Sequence, residues 1–516
     1  MNSSTPSARA SHVNSGTSVP REELAWPEMT GRVVRMPKLH AEIDERSQVS
    51  ELGGLALFSA FVRRFGVAHK IDARVNVLKV HLPYHESDHV LAQAANLYAG
   101  GTCIEDMANL QNSEPIRRLL GACRLPDPTT GGDFLRRFEE GQNPGSLQGL
   151  RSAVDDVQGE VWSKLGRRGG GKRRRKRREL AVIDVDGHQK PLYGVHKEGA
   201  DFSHTGTWSY QTLLVSMAGT GECLAVRNRP GNLRSSEGAA EVLAEVLPKL
   251  ADHFEDVLVR ADSDFDRRDV REACEAAGAH FAFVGREVSG RPQIAANIEE
   301  RRWRPFRTRA ARQRQQRGAA KHYKARSKKQ NRRRRRARQR GYHELALTRQ
   351  WVAEVPYKPP GSTKHYRLIV RRQRIEHREG QSFLFEQYRY RYVVTNLPAT
   401  SYSAEDVLDA TYQRCDQENL IDQMGSGLAA WRMPVAEFAG NCAWLEIARL
   451  AWNIAKWIAQ LALPAEVVRW EWKRFRHAFV YLAAQVVKRG RQIWLRLSAA
   501  HRFAEDLVAA HRKLQT

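Results

Sequence analysis

The sequence predicts an α/β fold, in which helical segments precede and follow the strands of a mixed sheet along the chain. Five short apolar runs of strand length lie between residues 179 and 285, and a helical segment, 235–254, separates the third from the fourth. Apolar residues recur at helical spacing before this region, and again from 404 to 460. At 516 residues the chain is long enough for roughly three domains.

Changes in composition divide the chain further. We predict a disordered tail (1–40), a helical domain (41–165), a basic linker (166–178), the first part of the sheet (179–285), a basic and β-rich insertion (286–400), and the rest of the core with C-terminal helices (401–516). The helical domain has the size of a helix-turn-helix DNA reader, and a plain helical packing domain is the alternative.

Two later segments carry their own patterns. Residues 365–376 and 382–397 alternate aromatic or aliphatic with polar residues, which predicts an antiparallel hairpin within the insertion. The stretch 470–497 is basic and rich in apolar residues, and we predict an amphipathic helix or helix pair there.

The charge balance indicates a polyanionic partner. The chain has 84 Lys and Arg residues against 58 Asp and Glu, a formal net charge of +26. Nucleic acid is the commonest cellular polyanion, and a membrane surface is the alternative. No apolar run approaches the length of a membrane span. The six cysteines form no Cys-x-x-Cys pair, which fits a reducing cytoplasm. We therefore expect a cytoplasmic protein that binds nucleic acid and no membrane.

Two basic blocks and one basic helix are the candidate contacts to phosphates. The blocks "GRRGGGKRRRKRR" (166–178) and 301–340 would give affinity with little sequence information, and a nonspecific RNA-binding tail is the alternative for the second. The residues that we expect to contact DNA are Arg173, Arg174, Arg175, Lys176, Arg177, Arg333, Arg334, Lys473 and Arg474.

Pairs of carboxylates end two of the predicted strands. Asp184 and Asp186 lie two apart in "LAVIDVDG", so their side chains share one face of the strand, and Asp262 and Asp264 end "VLVRADSDF" in the same way. A turn-forming or structural role is the alternative for each pair. Carboxylates gathered at strand ends bind Mg²⁺ through hard oxygens, and two such ions about 4 Å apart suit in-line phosphodiester chemistry.

A third acid is expected in "YQRCDQENLIDQMGSG" (412–427), which begins a helix. Arg414 and Glu418 lie four residues apart on one face of that helix. An exposed intrahelical ion pair is the alternative interpretation. Leu420, Ile421 and Met424 would anchor the helix on a core and hold Glu418 in place.

These segments together resemble the DDE transposases of bacterial insertion sequences, in particular the thirteen-eighty group of the insertion-sequence-four superfamily. "VIDVDGH" is similar to that family's "hDxDGT" segment, "RADSDF" to its "RADSGF" or "RGDTDF", and "DQENLIDQM" to its "QENLI" segment. "VRWEWKRFRHAF" (468–479) is similar to a further family segment. The resemblance extends from about Leu52 to the C-terminal helices.

The resemblance implies an RNase H-like catalytic core interrupted by a mainly β insertion domain. It implies Asp186, Asp262 and Glu418 as the catalytic and metal-binding triad for two Mg²⁺ (or Mn²⁺) ions, with Asp184, Asp264 and Arg414 in support. The implied reaction cleaves DNA at terminal inverted repeats and joins the 3′-OH to target DNA, with a homodimer bridging two ends.

The sequence departs from the superfamily at one position. The superfamily has a phosphate-contacting lysine seven residues after the glutamate, and Gly425 stands there in this chain. A catalytically silent or domesticated transposase-derived DNA-binding protein is therefore the alternative function.

Overall fold

The structure is a computed structural model that describes residues 48–166, 178–287, 290–307, 345–377, 387–490 and 492–516. The predicted tail at 1–40 lies outside these residues, as do nearly all of the first basic block and most of the second.

Seven helices form the N-terminal part of the described chain. They are α1 (Leu55–Arg64), α2 (Val67–Asp72), α3 (Glu86–Ala99), α4 (Met107–Gln111), α5 (Glu114–Leu120), α6 (Pro128–Arg136) and α7 (Ser146–Gly166). Local signals set several ends: Asp127 accepts a hydrogen bond from the backbone of Thr130 at the start of α6, and Gly100, with φ +103°, ends α3. The predicted helical character of this region is confirmed.

A ten-stranded mixed sheet follows, and a separate small sheet contains β1 (Val49–Ser50). The strands of the large sheet are β2 (Arg178–Pro191), β3 (Asp201–Phe202), β4 (Trp208–Met217), β5 (Cys223–Arg227), β6 (Phe254–Ala261), β7 (His280–Gly285), β8 (Arg304–Pro305), β9 (Leu345–Tyr357), β10 (Tyr366–His377) and β11 (Gln387–Thr395). Strands β2, β6 and β7 are parallel neighbours, and β4 and β5 continue the sheet antiparallel on the other side of β2. Three helices accompany them: α8 (Ala239–Ala251), α9 (Arg268–Ala276) and α10 (Arg291–Ala296).

Helix α8 begins later than the sequence suggests. Its first residue is Ala239, after Gly238 with φ +72°, and not Ser235 or Ser236. The Ser235 hydroxyl instead accepts a hydrogen bond from Gln211 of β4, which holds this segment against the sheet.

The strands of the predicted insertion extend the central sheet. The composition predicts that residues 286–400 interrupt it, but β11 pairs antiparallel with β7, and β10, β9 and β8 follow in order. The predicted hairpin is confirmed as β10 and β11. Val393 and Val394 of β11 are both fully buried and lie on opposite faces of the sheet. Because β11 pairs with β7, each of these side chains packs into the hydrophobic core on its own face.

The two faces of the sheet are covered differently. Ile183, Val185 and Val259 pack with α8 and α9 on one face. The opposite face carries Asp184 and Asp186, and it is covered partly by α11 (Ala404–Tyr412) and partly by the helical core. The carboxylates therefore lie between two covering layers.

The remaining helices of the described ranges are α12 (Cys415–Asp422), α13 (Phe438–Leu461), α14 (Trp472–Phe479) and α15 (Ala504–Gln515). Of the 24 residues of α13, 21 are buried, because the N-terminal helices surround it. Within the described ranges, no helix is long and apolar enough to cross a membrane.

Part of the predicted C-terminal helix pair is a β-hairpin. Residues after α14 form β12 (Ala484–Arg489) and β13 (Gln492–Leu497), which pair antiparallel and join β1. Gly490, with φ +59°, supplies the left-handed backbone that the turn requires, and alternation buries Ala484 and Val486 on one side. The helix prediction for 484–497 is therefore wrong.

Candidate active site

Asp186 and Asp262 are brought side by side by the strand register. Val185 of β2 is paired with Ala261 of β6, and each acid is the next residue in its strand direction. Since the two strands are parallel neighbours, the carboxylates emerge from one face at the same level of the sheet. Both side chains are partly buried.

Asp184 has a different environment, although it shares the face of Asp186 as expected. Its carboxylate is fully buried and accepts two hydrogen bonds from Arg260, at 2.8 and 2.7 Å. Arg260 also donates to the carbonyl oxygen of Ala410 in α11, at 2.6 Å. Asp184 therefore takes part in a buried ion pair that joins β2, β6 and α11, and its support for the site is structural.

Arg414 contacts Asp186, and its charge acts on Asp262 as well. Its Nη2 is 3.7 Å from Oδ2 of Asp186, and its Nη1 donates to the carbonyl oxygen of Val185 at 3.2 Å. Its positive charge also opposes the burial that raises the pKa of Asp262. One guanidinium thus offsets part of the negative charge of both acids.

The pKa of Asp186 is raised to about 6, chiefly because the side chain is buried. The charges of Asp262 and Glu418 raise it as well, whereas Arg414 and the backbone N–H of Gly187 oppose the shift. Burial likewise raises the pKa of Asp262. The anionic forms of both carboxyls are therefore poorly solvated, which favours the binding of a cation.

Asp264 supports Asp262 through the backbone. The N–H of Asp264 donates to Oδ1 of Asp262 at 2.9 Å, and the Asp264 carboxylate forms an ion pair with Arg286, just beyond β7. The second Asp-x-Asp pair thus has one acid facing the site and one bound to an arginine.

Glu418 is exposed on α12, close enough for its charge to raise the pKa of Asp186. Buried Leu420 and Met424 anchor this segment, and Gln417 accepts a hydrogen bond from Ser216 of β4. In the part of the chain that the structure describes, no three Asp, Glu, His or Cys side chains converge closely enough to hold one metal ion. Asp186 and Asp262 fit a divalent cation by their chemistry and register; Glu418 stands apart from them.

Gly425 is explained by its neighbour Trp431. A Cβ at position 425 would lie 2.5 Å from Cδ1 and 2.7 Å from Nε1 of that indole. The indole donates to the carbonyl oxygen of Ile421 at 3.2 Å and packs against the ring of His188, with ring centroids 5.0 Å apart. A π-helical turn (Gln423–Gly427) places Gly425 against the indole, so Trp431 occupies the space that a side chain at 425 would need.

Gly187 also permits a close approach. A Cβ there would lie 2.8 Å from Nε2 of Gln211 and 2.8 Å from Cβ of Ser235. The glycine after Asp186 therefore lets the loop before α8 pack directly on β2.

The predicted DNA contacts are only partly within the described residues. Arg173 to Arg177, Arg333 and Arg334 lie outside them. Lys473 and Arg474 are exposed at the start of α14, and the guanidinium of Arg474 lies 3.9 Å from the ring centroid of Trp470. The backbone N–H of Trp472 bonds to Gln423, so these two cations adjoin the segment that follows Glu418.

Sequence reasoning missed three residues around the site: Arg260, Arg286 and Trp431. Arg260 could have been found, because it is an isolated charge in an apolar strand, two residues before Asp262 and on the same face. Neither Arg286 nor Trp431 carries a local signal, since each reaches the site through tertiary packing.

Comparison with known proteins identifies the family. The profile described as "Transposase DDE domain group 1" matches residues 32–516. The chain belongs to this family. The predicted DDE transposase resemblance is thereby confirmed at this level, and DDE transposase domains generally use divalent metal ions.

We also compared this DDE transposase domain with solved structures and with curated proteins. A solved structure described as "Cryo-EM structure of piggyBac transposase synaptic complex with hairpin DNA (SNHP)" is similar at a TM-score of 0.39 and 10% sequence identity, covering 82% of this chain and 79% of that chain. No curated protein matches the sequence.

Proposed function

We propose that this protein is a transposase that cleaves DNA at the ends of an insertion sequence and joins the freed 3′-OH to target DNA. The single observation that carries the proposal is the placement of Asp186 and Asp262 at one level of adjacent parallel strands, in a chain of the DDE transposase family. The strand order β5-β4-β2-β6-β7 supports an RNase H-like core.

The proposed division of labour follows from the environment of each residue. Asp186 and Asp262 would hold Mg²⁺ or Mn²⁺, with Glu418 moving in from α12 to complete the set. A bound pair of such ions supplies Lewis acidity for water attack and for the leaving 3′ oxygen. Arg414 keeps the two aspartates close by offsetting their repulsion, and Asp264 orients Asp262 through its backbone N–H.

The DNA is held, in this proposal, by the basic surface, including Lys473 and Arg474 beside the Glu418 segment. We further propose that a homodimer bridges two element ends and that the protein acts in the cytoplasm, on the nucleoid. The narrower assignment to the insertion-sequence-four superfamily rests on the motif resemblance described above.

The test is cleavage of DNA that carries the element's terminal inverted repeats, in the presence of Mg²⁺. We expect the wild type to cleave and to give joined products, and Asp186→Ala, Asp262→Ala and Glu418→Ala to bind the DNA without cleaving it. Asp256→Ala is the matched control, because this exposed acid lies on β6 at the end away from the site.

The alternatives give different results in the same experiment. A catalytically silent DNA-binding protein is the alternative that Gly425 suggests, because it stands in place of the superfamily's lysine. Such a protein would bind the DNA without cleaving it, as wild type and as every variant. Cleavage without joined products would instead indicate a nuclease that hydrolyses without strand transfer.

A further inference from the structure

Three arginines form a compact cluster on the strands that extend the sheet. Arg371 of β10 is paired directly with Arg391 of β11, and Arg389 lies two residues further along β11, opposite Gln373. Side chains directly opposite in an antiparallel pair have Cβ atoms about 4.5–5.5 Å apart. We call Arg371, Arg389 and Arg391 the arginine cluster.

The arginine cluster lies on the same face of the sheet as the acids. Ile369 and Val393, each two residues from a cluster member, pack on α11 together with Leu258 of β6. Leu258 in turn shares its face with Asp262, four residues along the strand. The cluster and the acid pair therefore face the same side of one continuous sheet.

The arginine cluster also lies at the same end of the sheet as the acids. Tyr392 of β11 pairs with Gly285, the last residue of β7, so Arg391 and Arg389 extend beyond that strand's carboxyl end. Asp262 lies just beyond the carboxyl end of β6, the parallel neighbour of β7. Two strand spacings, about 10 Å, separate β6 from β11.

Among the residues that the structure describes, no acidic side chain forms an ion pair with the arginine cluster. Arg389 and Arg391 are exposed. Like charges directly opposite on a sheet are unfavourable, so their presence costs stability unless an anion lies across them. Burial, together with the charges of Arg391 and Arg389, lowers the pKa of Arg371.

Tyr412 connects the arginine cluster to the acid site. The guanidinium of Arg371 lies 4.3 Å from the centroid of the Tyr412 ring, and Arg371 donates to Gln373 at 3.1 Å. Tyr412 ends α11 only two residues before Arg414, which contacts Asp186. The position of Arg371 is thus set by the same segment that carries Arg414.

We propose that the arginine cluster binds the phosphodiester backbone of DNA next to the bond held at Asp186 and Asp262, on the β11 side of the site. This inference rests on the proposed function, since it takes DNA as the ligand of the acid site. The planar guanidinium forms paired hydrogen bonds with a phosphate, and three of them spread over two neighbouring strands match a chain of phosphates better than a single free anion.

The test uses the full chain, a short DNA duplex of arbitrary sequence, and no divalent metal. Arg389→Gln with Arg391→Gln should lower the slope of log affinity against log salt by about 1.8, the value for two lost phosphate contacts. The matched control is Arg267→Gln with Arg268→Gln, which removes one partly exposed and one exposed cation at the start of α9, on the opposite face. These cations are already paired with Asp269 and Glu272. The control should leave the slope unchanged.

Two further experiments test which phosphates the arginine cluster contacts and whether its variants fold. With a duplex that carries the element's end, ethylation of phosphates beside the cleavage point should impair binding of the wild type and no longer impair binding of the double variant. The melting temperature of Arg391→Gln should be equal to or above that of the wild type, because the variant removes a like-charge pair.

Each possible result either supports or overturns the inference that the arginine cluster binds DNA phosphates. An unchanged salt slope in the cluster variant overturns the inference, even if the wild type cleaves DNA. A lowered slope for an RNA duplex but not for DNA overturns the choice of ligand. Because this binding assay needs no cleavage, a protein that binds through the cluster but never cleaves would refute the proposed function alone.

Discussion

At the scale of single residues, Asp184 and Asp186 show how two carboxylates on one strand face can differ. Asp184 accepts two hydrogen bonds from the guanidinium of Arg260, whereas the nearest guanidinium nitrogen to Asp186, Nη2 of Arg414, is 3.7 Å away. The Asp184 carboxylate is thus paired with an arginine inside the fold, whereas the pKa of the Asp186 carboxyl is raised to about 6. The contrast predicts that removing the charge of Asp184 and removing the charge of Asp186 change the stability of the fold in opposite directions.

Asp186→Asn should stabilise the metal-free protein above pH 6. A raised carboxyl pKa means that folding loses stability as pH rises from the usual value of 3.8 through about 6, so removing the charge restores about 2–3 kcal/mol at pH 7.5 and nothing below pH 4. Urea unfolding at both pH values measures this. The same variant should not cleave DNA.

Asp184→Asn is the matched variant on the same strand, and it should have the opposite effect. It leaves the Arg260 guanidinium, which is 3% exposed, without its carboxylate, at a cost of about 3–5 kcal/mol. If both substitutions destabilise the protein at pH 7.5, Asp186 is also a structural residue.

Gly425→Ala should destabilise the protein by about 1–3 kcal/mol, although alanine favours helical backbone more than glycine does. The new methyl group would meet the indole of Trp431, which is nearly buried. Gly159→Ala in α7 is the control, since the nearest atom is 3.8 Å from its Cβ, and it should be neutral or stabilising. Thermal melts of both variants make the comparison; equal melting temperatures would show that the indole moves freely.

At the scale of elements, the turn between β4 and β5 joins the sheet to the helices. Glu222 is fully buried there, and its carboxylate accepts hydrogen bonds from Gln158 and Trp162 of α7 and from Trp457 and Gln460 of α13. One side chain therefore links a hairpin and two helices through four neutral donors.

Glu222→Gln should cost about 2–4 kcal/mol, because an amide nitrogen would face donors that need an acceptor. The midpoint of urea unfolding measures the loss, and Glu241→Gln, an exposed acid on α8, should leave the midpoint unchanged. A Glu222→Gln midpoint like that of the wild type would mean that the four donors find other acceptors.

At the scale of the whole molecule, the N-terminal helices and α13 share one hydrophobic core. The ring of Phe61 in α1 stacks on Trp457 in α13 with centroids 5.7 Å apart, and Tyr98 in α3 meets Trp472 in α14 edge-on at 6.2 Å. The division into a separate N-terminal domain, 41–165, stays a prediction.

A fragment of residues 48–166 should therefore remain largely unfolded by itself, since the apolar surfaces that face α13 would be exposed to water. Circular dichroism with thermal melting checks this. A cooperative melt of the isolated fragment would contradict the expectation and support an independent domain.

Much of the fold could be read locally. The period-two runs that became β2, β4, β5, β6 and β7 alternate or remain apolar over strand length, and the hairpin of β10 and β11 alternates along both strands. The run 484–497 fits the helical and the strand period alike, because it is a basic stretch with scattered apolar residues, and only pairing with β1 decides for the strand. Helix α8 starts late because Ser235 bonds to the neighbouring strand.

The sequence by itself identified the candidate acidic residues, the strand face that Asp184 and Asp186 share, and the family. It could do so because side-chain alternation and motif spacing are properties of a contiguous chain. Only the tertiary structure decided that Asp262 stands beside Asp186, that Arg260 neutralises Asp184, and that β11 continues the sheet from β7. These are contacts between residues far apart in the chain, and strand pairing and burial select them. The same physics explains Gly425: its neighbour Trp431 is six residues away, yet only the π-helical turn brings the indole against it.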